Sequence, residues 1–350
     1  MRLGLNLGYL TGAGSPADQL ALVQEAERLG YTVVWAAEAY GSDSPSLLAW
    51  LAGQTSRIDV GSAVMQIPAR TPASTAMTAA TIDTLSGGRF RLGLGVSGPQ
   101  VSEGWHGVRF GQPLARTREY VEIVRLAVGR QRVEYPGTHY TLPLPDGPGK
   151  PLKLNFRPPR SRIPVYLAAV GPRNLELAGE IADGWLAVFF SPRTAADQLA
   201  LIAAGRARTG QDLTGFDVVP AVPVVVGDDV AACADLLRGY AALYVGGMGS
   251  RTQNFYHRLA TRMGFGAAAD EVQDHYLAGR LRDAAAAVPL EFIDQTALLG
   301  PPDRIAQRIG EYAAAGVTTL SVSLFDADTE ARLATLRTVA RALDVAGVGR

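Results

Sequence analysis

Residues 71–96 read TPASTAMTAATIDTLSGGRFRLGLGV, and the fold is decided in that stretch. Thr71–Leu85 is helix-like. Pro72 sits near its first position, where the missing N–H costs nothing. A glycine turn follows, and then Phe90–Val96 runs almost continuously apolar. Such a run suits a parallel strand covered by helices on its faces. The alternation repeats outward in both directions. Strand-like runs are Leu3–Gly8, Thr32–Ala37, Asp59–Met65, Phe90–Val96, Pro164–Ala169, Gly184–Phe189, Asp217–Val226 and Val317–Leu324. The other helix-like segments are Pro16–Leu29, Pro45–Ser56, Pro113–Val128, Pro172–Ala182, Pro192–Thr209 and Asp328–Leu343.

Eight strand-then-helix units predict a closed α/β barrel, the (β/α)8 or TIM barrel, as one domain over residues 1–350. An open doubly wound sheet is the alternative, but no Gly-x-Gly-x-x-Gly turn follows the first strand. Two stretches interrupt the rhythm. Residues 131–162 read as a hairpin excursion, with Val133–Tyr135 and Tyr140–Leu142 flanking Pro136-Gly137. Residues 246–294 read as a helical insertion, with helices at Gln253–Met263 and Ala267–Ala286, ahead of a late helix at Pro302–Ala314. Connections this long often carry function.

The 33 basic and 33 acidic residues cancel. That argues against a nucleic-acid partner, which selects for surplus positive charge. The N-terminus enters a strand pattern at once, and no apolar run reaches the ~18 residues of a membrane span. A cytoplasmic protein with no membrane partner is expected. The single cysteine, Cys233, is expected as a small buried residue. The four histidines and one cysteine show no metal-ligand spacing, so no metal is expected.

A barrel places its active site where the strands end. Gly171-Pro172-Arg173-Asn174 follows an apolar strand and opens a helix, so free N–H groups, a helix dipole and a guanidinium gather there. It reads as a phosphate cradle or as an ordinary helix start. Ser97-Gly98-Pro99-Gln100 suits backbone contact with a ligand, or a tight turn. Glu103 and His106 are spaced to pair as acid and base, although such a histidine is often structural. Glu38 ends the apolar run Val33–Ala37. There it reads equally as a ligand contact, a proton relay or half of an internal ion pair. Tyr9 and Trp185 read as flat walls for a ring or as core.

The opening Leu3-Gly4-Leu5, Ala26–Tyr31 before Trp35, Leu85–Gly95, Ala182-Asp183-Gly184-Trp185 and Gly300-Pro301-Pro302 together resemble the luciferase-like flavin and deazaflavin oxidoreductases. The resemblance spans residues 3 to about 345. Trp35–Asp43 and Ser97–Gly107 resemble the branch that uses the deazaflavin coenzyme F420. That branch includes methylenetetrahydromethanopterin reductase and F420-dependent glucose-6-phosphate dehydrogenase. The resemblance implies F420 as cofactor, hydride transfer at its C5 and a small organic substrate. It implies cofactor contacts at Glu38, Gln66, Ser97, Gly98, Val170, Gly171, Arg173 and Asn174. It also implies a cis peptide at Ala63-Val64 backing the deazaflavin ring. A homodimer is implied too, with Leu47, Leu48, Trp50 and Leu51 as candidate surface. The family's catalytic histidine falls on Ala39 and its glutamate near Pro99, so glucose 6-phosphate is not the expected substrate. An FMN-dependent monooxygenase and a non-catalytic binding barrel are the other readings.

Overall fold

The computed structural model describes residues 1–9 and 15–349. Eight parallel strands close on themselves: β1 Arg2–Asn6, β2 Val33–Ala36, β3 Asp59–Ser62, β4 Phe90–Gly95, β5 Val165–Ala168, β6 Gly184–Val188, β7 Asp217–Val226 and β8 Thr319–Leu324. The ring closes where Leu3 of β1 registers with Leu320 of β8. The doubly wound alternative is therefore excluded, and the expected (β/α)8 barrel stands.

Alternation along the strands explains the packing. Val33 and Trp35 of β2 face the lumen beside Tyr166 and Val219, while Val34 and Ala36 face the helix layer. Trp35 needs space that Gly61 provides, since a Cβ there would lie 2.4 Å from the indole. The N-terminal mouth is filled by charge. Asp217, at the start of β7, accepts from Arg91 at 3.2 Å, Tyr166 at 3.0 Å and Thr319 at 2.8 Å, and pairs with Arg2 at 2.9 Å. Arg91 also pairs with Asp59 at 2.7 Å. Every carboxylate in this plug has a partner, which is what burial demands.

The helix layer follows the proline signals. Helices Pro72–Leu85, Pro113–Val128, Pro172–Ile181 and Pro302–Ala314 all begin on proline. The excursion is narrower than expected, with only Tyr135–Pro136 pairing with Thr141–Leu142. The insertion is more broken than its apolar pattern predicts. Gln253–Asn254 forms a small ladder with Gly249–Ser250. Helices follow at Phe255–Ala260, Gly266–Leu277, Leu281–Ala286 and Leu290–Thr296. Gly279 at φ 77° ends the run that sequence periodicity joined into one helix. A short strand, Leu298–Gly300, pairs with the end of β7 and was not anticipated.

The insertion has its own apolar cluster, Val245, Leu259, Val272, Phe292 and Ile293, resting on Phe189, Val225 and Leu299 at the barrel's end. Cys233 is buried there. No described helix is long and apolar enough to cross a membrane.

The surface expected from the second helix is corrected. In Ser44–Ala52, residues Leu47, Leu48 and Leu51 are buried in the chain's own core, and of the four candidates only Trp50 is exposed, at 37%. The helix turns its leucines inward because they sit on its i, i+3/i+4 face.

Candidate active site

The strand ends build the site. β3 stops at Ser62, the Ala63–Val64 peptide is cis, and Met65–Gln66 then resume pairing with Leu94–Gly95. Residues 63 and 64 thus stand outside the ladder as a bulge at the mouth. Gly95 permits this: a Cβ there would come within 2.5 Å of the Val64 side chain.

Gln66 is buried. Its Nε2 donates to the Glu38 carbonyl at 2.9 Å, and its Oε1 has no donor. The Glu38 carboxylate, only 8% exposed, is bridged by both Arg70 Nη atoms and accepts from the Ser44 N–H at 3.1 Å. Arg70 reaches Asp43 as well. Burial works against the Arg70 charge, but Glu38 and Asp43 outweigh it and hold its pKa above the ordinary value. The ion-pair reading of Glu38 is thus realised, with Arg70 the arginine that sequence reasoning left unnamed.

Ser97 is left-handed at φ 63°, and Gly98 caps the short helix Pro99–Gly104 without a side-chain bond. Glu103 and His106 do not pair. Glu103 is exposed and accepts from the Phe110 N–H at 3.0 Å, while the buried His106 Nε2 has no partner.

Across the mouth, Gly171 caps Pro172–Ile181 with open space where a Cβ would stand. The Asn174 N–H is spent on the Gly171 carbonyl at 3.0 Å, and Asn174 Nδ2 donates to the Ala168 carbonyl at 3.3 Å. Proline removes one N–H, so the Arg173 N–H and the Gly171 N–H are the donors left. The Arg173 side chain is exposed and has no acidic partner among the described residues. From the insertion, Arg262 donates to the Val170 carbonyl at 2.9 Å. Burial, and then Arg258, lower its pKa.

Trp185 is core, its Nε1 bonded to the Ala169 carbonyl at 2.9 Å. Tyr9, by contrast, stands at the mouth with Tyr40, Tyr244 and Tyr256. A separate cleft of about 930 Å³ lies near Asp183 and Asp212, by the N-terminal ends of β6 and β7, away from these groups.

The profile of the luciferase-like monooxygenase family matches residues 3–319. The chain belongs to this family. Among luciferase-like relatives, it is 44% identical over 96% of its length, and 99% of the other's, to a Mycobacterium tuberculosis protein provisionally named a coenzyme F420-dependent oxidoreductase. It is 32% identical to a 5,10-methylenetetrahydromethanopterin reductase of Archaeoglobus fulgidus, over 85% of this chain and 86% of that one. The F420-dependent tetrahydromethanopterin reductase of Methanopyrus kandleri shares the luciferase-like barrel at a TM-score of 0.82. Sequence identity there is 24%, and 97% of each chain is covered.

Proposed function

We propose that the protein is an F420-dependent oxidoreductase acting by hydride transfer on a small organic substrate. The 44% identity across 96% of the chain to a protein named for F420 carries this reading. The site supports it through groups that lack partners. Among the described residues, Gln66 Oε1 is a buried acceptor without a donor, and Arg173 is a cation without an acidic partner at a helix start. A ring N–H and a phosphate are what those two groups need. Bound F420 would supply the carbon that accepts or donates hydride.

In this reading Ala63 and Val64 back the ring and Gln66 meets its edge. Ser97, Gly98, Val170, Gly171, Arg173 and Asn174 line the path of the anionic tail. Glu38, through Arg70, positions the Gln66 loop and is the nearest carboxylate for proton traffic. Glu103 and His106 are the remaining acid–base candidates on the mouth loops. We also propose one folding domain over residues 1–350, a homodimer and a cytoplasmic location.

FMN ends in a phosphate too, so the cradle alone does not choose between cofactors, and the family profile keeps a monooxygenase as the second reading. Titration of the purified protein with F420 and with FMN decides. The expected result is saturable F420 binding well below the FMN dissociation constant. Tight FMN binding without F420 binding would overturn the proposal. Binding of F420 with no turnover over a broad substrate panel would leave a non-catalytic barrel.

A further inference from the structure

We propose that the cleft of about 930 Å³ at the N-terminal ends of β6 and β7 is a second ligand site, which holds a small polar molecule by its phosphate group. The site is separate from the mouth and does not depend on the cofactor reading.

Three cations line the cleft from different parts of the chain. Arg125 stands in the last turn of the helix Pro113–Val128, Arg162 precedes β5, and Arg206 stands in the last turn of the helix Ala195–Ala207. Arg125 is poorly compensated. Its Nε is buried with no acceptor among the described residues, and its Nη2 reaches Asp183 only at 3.5 Å. Asp183 gives its closer contact, at 2.5 Å, to Arg162. Burial, joined by Arg162, outweighs Asp183 and lowers the Arg125 pKa. Arg206 spends its Nε on the Asp212 carbonyl at 2.7 Å and lies over Phe216, 5.3 Å from the ring centre. Among the described residues it makes no ion pair, and its two Nη groups have no partner.

The acceptors that could answer these cations are already taken. Glu180 pairs with Arg118 at 2.7 Å and with Arg208 at 3.2 Å. Asp183 also accepts from the Val165 N–H at 2.9 Å, and Asp212 from the Thr214 N–H at 2.8 Å. Bare carbonyls at a helix end would repel an anion. At the end of Ala195–Ala207 they are occupied. The Gly205 carbonyl accepts from Arg208 at 3.2 Å, that of Arg206 from Thr209 at 3.0 Å and Gln211 at 3.1 Å, and that of Ala207 from Gly210 at 3.1 Å.

Positive charge without an answer thus surrounds a cavity. A phosphate brings more charge and more acceptor oxygens than a carboxylate, and so meets several guanidinium groups at once. A cavity of this volume is the size of a small-molecule site, not of a lone ion. Thr209, Gln211 and Thr214 line the rest of the wall, so the body of the ligand carries hydroxyls.

The test uses ribose 5-phosphate, with ribose, inorganic phosphate and chloride at matched ionic strength as controls. Calorimetric titration reads affinity, and thermal melting reads the stabilisation that a ligand of the folded state confers. Ribose 5-phosphate is expected to bind saturably and raise Tm, inorganic phosphate to bind more weakly, and ribose not to bind. Arg206→Gln should weaken ribose 5-phosphate about 10- to 150-fold, the worth of a charge-assisted bond. Arg162 is 66% exposed, so Arg162→Gln keeps the fold and should weaken binding in the same direction. Arg173→Ala, at the mouth, should leave this binding unchanged. Loss of binding in Arg173→Ala, with none in Arg206→Gln and Arg162→Gln, would place the phosphate at the mouth and overturn the proposal. Equal melting shifts in phosphate and chloride would overturn it too, as would no heat from ribose 5-phosphate up to about 10 mM.

Discussion

Arg173 and Arg70 show how differently two arginines at one mouth behave. Among the described residues Arg173 has no carboxylate partner, so its charge is available to a ligand. Arg173→Ala should weaken F420 by about 10- to 150-fold, the worth of a charge-assisted bond, and flatten the salt dependence. Unchanged affinity and slope in a salt-series titration would place the phosphate elsewhere. Arg70 is committed to the protein. Arg70→Ala strands a carboxylate that is 8% exposed and should cost about 3 kcal/mol in urea unfolding. A third pair gives a pH signature. The Arg28 hydrogen bond, outweighing burial and joined by Arg337, lowers Glu25 from 4.5 to about 2. As pH falls, the unfolded chain takes up this proton first. The stabilisation is therefore complete above about 4.5 and lost on the way down to about 2. Both arginines are well exposed, so screening limits the gain to about 1 kcal/mol at most. Thermal melts of Glu25→Gln and the parent should differ at pH 7 and converge as pH approaches 2. At this scale the sequence exposed the odd residues but not their partners. Glu38 was conspicuous at the end of an apolar run. Nothing local could pick Arg70 from a chain whose basic residues are nearly all arginine.

Elements were legible where one physical signal dominated. The eight strands are short apolar runs between turns, and proline marks most helix starts to within a residue, although Pro192 stands three residues ahead of Ala195–Ala207. The insertion was misread because its apolar spacing continues across Gly279, where the backbone turns left-handed and the helix stops. Helix contact also depends on a residue that periodicity ignores. In Pro172–Ile181, a Cβ on Gly179 would meet the Ile202 carbonyl oxygen at 2.1 Å, in the helix Ala195–Ala207. Gly179→Ala must push the helices apart and should cost about 1–3 kcal/mol. A urea midpoint equal to the parent's would show that the pair can shift freely. The N-terminus of Pro172–Ile181 carries the cradle, so F420 affinity should fall in the same variant.

Over the whole molecule, polarity is segregated between the two ends of the barrel. The N-terminal end closes on itself through Asp217, Arg91, Asp59 and Arg2. The C-terminal end leaves Gln66 Oε1 and His106 Nε2 without partners among the described residues. Asp217→Ala should cost about 1–3 kcal/mol, because Arg91 keeps Asp59 but Tyr166 and Thr319 lose their acceptor. F420 affinity, measured below the melting point, should be unaffected. Light scattering at micromolar concentration tests the dimer. Because the leucines of Ser44–Ala52 face inward, a 37 kDa species would end that proposal, and Trp50 would then be an isolated exposed ring. For an engineer, the self-contained plug makes the lower barrel a chassis. Its bonds are complete without help from the loops above, so residues 97–112 can be exchanged for a cousin's segment as a cassette. Such chimeras should keep the parent's melting behaviour while inheriting the donor's appetite, and a library built there would sample chemistry without renegotiating the scaffold.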